Sequence, residues 1–93
     1  MILAPKFSLG DVVGTPGALQ AIEESGQTPS FFLDRHVRGD YGDLDQHDLL
    51  QNEEALIHGD RLMSVYQTLK NVRIWIITES DRSVTTLLLP DDY

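Results

Sequence analysis

The sequence predicts one α+β domain, in which about three helices pack on a C-terminal three-stranded antiparallel meander. Two Thr-Pro pairs and one aspartate mark helix starts within the first two thirds of the chain. The last third contains three short apolar or alternating stretches separated by turn residues, which is typical of strands. The chain has 93 residues, a length that supports one hydrophobic core, so we treat residues 1–93 as a single domain.

Residues 1–14 form the least regular part of the pattern. Phe7 and Leu9 alternate with polar residues, and two valines follow a Gly-Asp turn signal. This segment is expected to be a weak strand or an extended arm. A short N-terminal strand is therefore a further expectation for the fold.

The first two helices begin in the same way. Thr15 suits the N-cap of the first helix and Pro16 its first position, where the missing N–H costs nothing. Thr28 and Pro29 repeat the arrangement for the second helix, and Gly39 is the residue expected to end it.

The third helix is expected to begin after Asp45, a good N-cap residue, and to end at Gly59. At 100° per residue its apolar side chains cover about 120° of the helix surface, which predicts a stripe that faces the core. The residues of this stripe are Leu49, Leu50, Leu56 and Ile57.

Three strands are predicted after the helices, over Arg61 to Gln67, Val72 to Glu79 and Ser83 to Leu89. The second strand is apolar on both faces from Ile74 to Ile77, so it should be central and Trp75 should lie in the core. The first and third strands are then open edges, and open edges make a homodimer compatible with this fold.

The net charge of −8 is unevenly distributed along the chain. No Lys or Arg lies between residues 40 and 60, whereas the rest of the chain is almost neutral. This balance makes direct nucleic-acid binding unlikely and favours a basic protein partner. The seven acids of this segment are Asp40, Asp43, Asp45, Asp48, Glu53, Glu54 and Asp60.

The chain contains no cysteine, which excludes a disulfide framework and a thiolate zinc site. No stretch approaches the length of a membrane span, and the N-terminal apolar run is too short for a signal peptide. We therefore expect a cytoplasmic protein with no membrane association and no cofactor.

The loop over residues 39–45 is the first candidate binding segment. Asp40, Asp43 and Asp45 carry carboxylates of the kind that hard cations bind, but their spacing is not that of an EF-hand loop. A turn followed by a helix cap explains them, so no metal site is predicted. Tyr41, between Asp40 and a glycine, is not easily explained as a core residue and is a candidate binding residue.

The hairpin between the last two strands is the second candidate segment. Arg82 at the turn is suited to binding a carboxylate or a phosphate; the alternative is a polar hairpin tip in which Asp81 pairs with Arg82. Ser83 and Thr85 are expected on one face of the sheet. We also expect the hairpin to lie within about one side-chain length of the 39–45 loop.

His36 is a candidate acid or base. It lies four residues after Phe32 on the apolar face of the second helix. A histidine there is either a general base or a packed residue that is hydrogen-bonded to its surroundings.

Three stretches resemble a family of small bacterial plasmid-related proteins: residues 15–19 (TPGAL), 39–44 (GDYGDL) and 76–85 (IITESDRSVT), together with Leu88 to Pro90. The resemblance implies a bacterial host and a link to plasmids or other mobile elements. It implies no catalytic residue, and it gives the 39–45 loop and the Glu79 to Thr85 hairpin added weight.

Two functions of different class follow from these observations. The first is a non-enzymatic interaction protein, an accessory factor of a mobile element that binds a basic partner through its acidic face. The second is a small ribonuclease-like enzyme with His36 as base and Arg82 stabilising phosphate charge. The second rests on the order of helices and strands, and the overall acidity argues against it.

Overall fold

The computed structural model describes residues 4–93 as three helices and a four-stranded mixed sheet, an α+β fold. Within that range no helix is both long and apolar enough to cross a bilayer. The elements in chain order are β1 (Asp11–Gly14), α1 (Pro16–Glu24), α2 (Pro29–Val37), α3 (Gln46–His58), β2 (Leu62–Gln67), β3 (Arg73–Thr78) and β4 (Val84–Leu88), followed by a 3₁₀ turn (Pro90–Asp92).

The helix starts follow the chemistry of their first residues. The Thr15 hydroxyl accepts a hydrogen bond from the Ala18 N–H at 3.2 Å, and the Asp45 carboxylate accepts one from the Asp48 N–H at 2.9 Å. The N-caps predicted at Thr15 and Asp45 are therefore confirmed. Thr28 occupies the N-cap position of α2 without a side-chain bond to the helix.

The sheet differs from the predicted three-stranded meander in one respect. Its strand order is β1-β4-β3-β2, with β2, β3 and β4 antiparallel and β1 parallel to β4. The central position predicted for β3 between β2 and β4 is confirmed. The parallel pairing was missed because it joins Asp11 to Val84 across the whole helical region, and local sequence patterns contain no information on such a contact.

One face of the sheet, called here the inner face, packs against α1 and α2. Because strand side chains alternate, every second residue of β2, β3 and β4 points to this face. The buried cluster combines two residues of α1 and one of α2 with four from the sheet. Its members are Ala18, Ile22, Phe32, Tyr66, Ile74, Ile76 and Leu87.

The predicted core stripe of α3 is only partly buried, at Leu49 and Leu56, and is wrong for its other two residues. The buried residues of α3 are Asn52 and Ala55, whereas Leu50 is 52 % exposed and Ile57 is 79 % exposed. The helix lies beside the edge of β2 and does not cover the inner face, so its contacts with the sheet are narrow. Its polar Asn52 faces the protein, and two of its largest apolar side chains face solvent.

The two predicted open edges are also corrected. β4 is an interior strand because β1 pairs with it. The edge of β2 is covered at Val65, whose N–H donates to Tyr41 O at 3.0 Å and whose carbonyl accepts from the Asp43 N–H at 2.7 Å. The 39–45 loop thus adds a short parallel bridge to the sheet at Gly42.

Candidate functional site

His36 is fully buried between α2 and the inner face of the sheet, and both of its ring nitrogens are hydrogen-bonded. Nδ1 pairs with the Ser64 hydroxyl, and Nε2 pairs with the Thr78 hydroxyl at 2.9 Å. Thr78 in turn pairs with Thr85 at 2.8 Å. Three strands and a helix thus contribute to one closed polar network in the core.

The end of this network determines the direction of every bond in it. The Thr85 hydroxyl donates to the Leu9 carbonyl at 2.7 Å, so it accepts from Thr78. Thr78 has then used its only proton and must accept from His36 Nε2–H. Nδ1 is left without a proton and accepts from the Ser64 hydroxyl, so the structure assigns the Nε2–H tautomer to His36.

Burial lowers the pKa of His36 from 6.5 to about 4. The imidazole is therefore neutral at pH 7, and it has no contact with solvent and no free nitrogen. In this geometry it holds two strands and a helix together and does not reach a substrate proton, as a general base must.

Arg82 lies at the β3–β4 turn in the left-handed region, with φ of 62°. Its guanidinium donates to the carbonyls of Asp60 at 2.6 Å and Ala55 at 3.2 Å, at the C-terminal end of α3, and to two carbonyls of its own turn. A cation at a helix C-terminus satisfies carbonyls that have no intrahelical partner. The predicted phosphate-binding group is thus occupied by backbone.

Of the other hairpin candidates, Asp81 and Ser83 are bonded to each other and Thr85 lies apart from them. The Asp81 carboxylate accepts from the Ser83 hydroxyl at 2.6 Å and from the Ser83 N–H at 3.0 Å, and these bonds lower the pKa of Asp81. No ion pair joins Asp81 to Arg82 within residues 4–93, so the alternative in which these two residues pair is not found. Ser83 is exposed at the turn, whereas Thr85 belongs to the buried network around His36.

The candidate residues of the 39–45 loop have structural partners. Asp40 pairs with Arg35 at 2.7 Å, and the hydrogen bond from that guanidinium lowers the pKa of Asp40. Tyr41 is only 4 % exposed, so it is a core residue after all. Its hydroxyl has no hydrogen-bond partner among the described residues, and burial raises its pKa. Asp43 and Asp45 point towards a groove described below.

No hydrogen bond or ion pair among the described residues joins the loop to the hairpin. Cation–π and edge-to-face contacts run between them: Arg82 lies 5.8 Å from the ring centroid of Phe7, Phe7 lies 5.0 Å from His36, and His36 lies 6.1 Å from Tyr41. Burial raises the pKa of Tyr41 and the nearby charge of Arg82 lowers it, so the guanidinium acts on the loop tyrosine. The expected separation of about one side-chain length stays a prediction.

The most exposed surface of α3, called here the α3 crest, combines apolar and acidic residues. Leu50 and Ile57 are seven residues apart and therefore share one side of the helix, roughly 10 Å from each other. Exposed Glu53 and Glu54 lie between them along the chain and flank them around the helix. The crest is an apolar ridge with a negative rim.

A groove of about 440 Å³ lies on the opposite side of α3, over the outer face of the sheet. Sequence reasoning placed Trp75 in the core, but it is half-buried and lines this groove with Met63. Charged side chains of both signs, including Asp48 and Arg73, line it as well. Strand side chains alternate between the two faces of a sheet, and β3 is apolar on both faces. The outward position of Trp75 could therefore have been predicted from the sequence.

Asp45, His47 and Asp48 each bring one potential metal-ligating atom to within 4.8 Å of the others. All three residues are exposed, and the Asp45 carboxylate already caps α3. The N-cap and the helix dipole explain the two aspartates, so this cluster is not taken as a metal site.

Comparisons of the chain with protein-family models, with curated proteins and with solved structures found no match.

Proposed function

We propose that this chain is a non-enzymatic interaction protein that binds a basic protein partner through the α3 crest. The observation that carries the proposal is the exposure of Leu50 and Ile57 on the outermost side of α3. An amphipathic helix of a globular domain ordinarily turns such residues towards the core. Here the fold leaves this apolar ridge exposed to solvent.

The acidic residues around the ridge indicate the chemistry of the partner. Glu53 and Glu54 form no ion pair within the described chain. Asp60 accepts a hydrogen bond from Arg82 through its backbone carbonyl and not through its carboxylate. An apolar centre with a charged rim is the usual organisation of a protein interface. Uncompensated carboxylates in that rim favour Lys and Arg on the partner and disfavour a second copy of the same crest.

The alternative ribonuclease-like function has no support in the geometry. His36 is buried with both nitrogens bonded, and the Arg82 guanidinium caps α3. The two groups would have to leave these positions before either could contact a phosphate. The association with a mobile element comes from the resemblance in sequence and stays a prediction, as does homodimer formation.

The test is affinity capture from a bacterial lysate with three matched forms of the protein. The first is the natural chain, the second is L50N/I57N, and the third is L69N, in which another exposed leucine is replaced at the β2–β3 turn beside Lys70. We expect a partner that is retained by the natural chain and by L69N, is lost with L50N/I57N, and is released by salt.

A second pair of variants separates charge from apolar contact. E53Q/E54Q keeps the shape of the crest and should weaken binding of the same partner, whereas E23Q/E24Q at the end of α1 should leave it unchanged. Circular dichroism and thermal unfolding should show that all variants fold. A partner that binds L50N/I57N and E53Q/E54Q normally, or no salt-sensitive partner at all, would overturn the proposal.

A further inference from the structure

The groove on the outer face of the sheet has an apolar floor. Met63 and Val65 of β2 and Trp75 of β3 contribute to it, and Val65 and Trp75 are directly paired across the two strands. At about 440 Å³ the groove falls within the range of small-molecule sites.

The two sides of the groove carry opposite charges. Asp43, Asp45 and Asp48 line the side formed by the loop and the first turn of α3. Arg73, the first residue of β3, lies across β2 from them. Arg73 forms no ion pair or side-chain hydrogen bond within residues 4–93, so the aspartates and this arginine line one groove without neutralising each other.

The second arginine of the groove is already engaged. Arg61 pairs with Glu79 at 3.3 Å and donates to the Tyr93 hydroxyl at 3.1 Å. Its charge is compensated within the protein, and it closes one end of the groove beside Met63 and Trp75. The free cation offered to a ligand is therefore Arg73.

We propose that this groove binds a short zwitterionic peptide of two or three residues. Its ammonium group lies against Asp45 and Asp48, an apolar side chain covers Trp75, and its terminal carboxylate pairs with Arg73. The site is independent of the α3 crest, because Asp48 faces the groove whereas Leu50 and Ile57 lie on the opposite side of the helix.

Charge and distance select this class of ligand over its neighbours. A phosphate or another anion would meet three carboxylates, and a simple cation would leave Arg73 uncompensated. In a free amino acid the ammonium and carboxylate groups are attached to the same carbon. The aspartates and Arg73 of the groove lie on opposite sides of β2. Adjacent strands are about 4.8 Å apart, and β2 lies between the loop and β3, so the two backbones that carry these charges are about 10 Å apart. The ends of a short peptide match this separation better than those of a free amino acid.

The single tryptophan of the chain lines the groove, so its fluorescence reports directly on occupancy. The probes are leucyl-leucine, its N-acetyl derivative and its C-terminal amide, each titrated at millimolar concentration. We expect saturable binding of the free dipeptide, and blocking of either end should weaken that binding by about tenfold, the change that corresponds to about 1.4 kcal/mol.

Variants test whether Arg73 binds the carboxylate of the dipeptide. R73Q should lower affinity for leucyl-leucine about tenfold and leave affinity for the amide unchanged, because the amide has no carboxylate to lose. R38Q, which removes an exposed arginine after α2, serves as the matched control and should bind like the natural chain. Equal binding of the dipeptide and its amide, no effect of R73Q, or no fluorescence response to any probe would each overturn the proposal.

Discussion

The side chain of Asn52 makes the two hydrogen bonds to the Met63 backbone that a neighbouring strand would otherwise make. Asn52 Nδ2 donates to the Met63 carbonyl at 2.7 Å, and the Met63 N–H donates to Asn52 Oδ1 at 3.2 Å. The amide group reproduces the donor and acceptor that an edge strand would supply. Together with the bridge at Val65, this pairing leaves little of the β2 edge free for another chain.

Replacement of Asn52 by alanine should therefore have two effects. The free energy of unfolding should fall by about 2 kcal/mol, because two hydrogen bonds are lost and the Met63 groups are left without protein partners. The opened edge should also promote self-association that increases with concentration. Urea unfolding measures the first effect and analytical ultracentrifugation the second.

Q51A is the control for this variant, since Gln51 is the exposed neighbour on the same helix. It should change stability by less than about 0.5 kcal/mol and keep the association state of the natural chain over the same concentrations. If N52A and Q51A behave alike, the amide does not protect the edge.

Acidification should destabilise the protein through His36. Its pKa is about 4 in the folded state and 6.5 in its unperturbed form, so the unfolded chain binds the additional proton between these values. Stability is then fully present above pH 6.5 and is lost as the pH falls towards 4. The expected loss is about 3 kcal/mol, with no further contribution from this group below pH 4.

The variant H36Q isolates this contribution from that of the carboxylates. It should be less stable than the natural chain at pH 7, yet the difference between the two should shrink as the pH falls from 6.5 to 4. NMR titration of the natural chain gives the pKa directly. A His36 pKa near 6.5, or parallel pH profiles of the two proteins, would contradict the proposed role of burial.

The elements that sequence patterns predicted well are those determined by adjacent residues. Thr15 and Asp45 cap the helices that follow them within three residues, so local chemistry was sufficient. The failures concern partners that are distant in the chain. Periodicity indicated which side of α3 is apolar, but it contained no information on whether a neighbour would cover Leu50 and Ile57.

In the candidate site, too, features set by neighbouring residues were predicted and partners distant in the chain were not. His36 was recognised from its place on an apolar helix face, and its burial agrees with the packed alternative stated for it. The other members of its network, Ser64, Thr78 and Thr85, come from three strands, and their pairing depends on register, which the sequence did not reveal. Arg82 was recognised as unusual, but its carbonyl partners at the end of α3 were not foreseeable.

Thr85 tests the hydrogen-bond network independently of charge. T85V has the same shape but removes the donor to Leu9 and the acceptor for Thr78. The free energy of unfolding should fall by about 2 kcal/mol, because buried polar groups lose their partners. T86V is the matched control, since Thr86 lies on the other face and makes no side-chain hydrogen bond among the described residues; it should be nearly neutral. Equal effects of the two valines would contradict the network.

Arg82 combines an unfavourable backbone conformation with a favourable side-chain role, and two substitutions separate them. R82A removes the guanidinium from the carbonyls of Ala55 and Asp60 but keeps a Cβ at φ of 62°. R82G removes the same group and also relieves the left-handed strain, so it should be more stable than R82A by about 1 kcal/mol. Both should be less stable than the natural chain, because the carbonyls at the end of α3 lose their donor.

Urea unfolding ranks the three proteins, and amide hydrogen exchange in the last turn of α3 should quicken in both variants. If R82G equals or exceeds the natural chain, the guanidinium does not stabilise the helix end, and Arg82 would then be free to contact an external ligand.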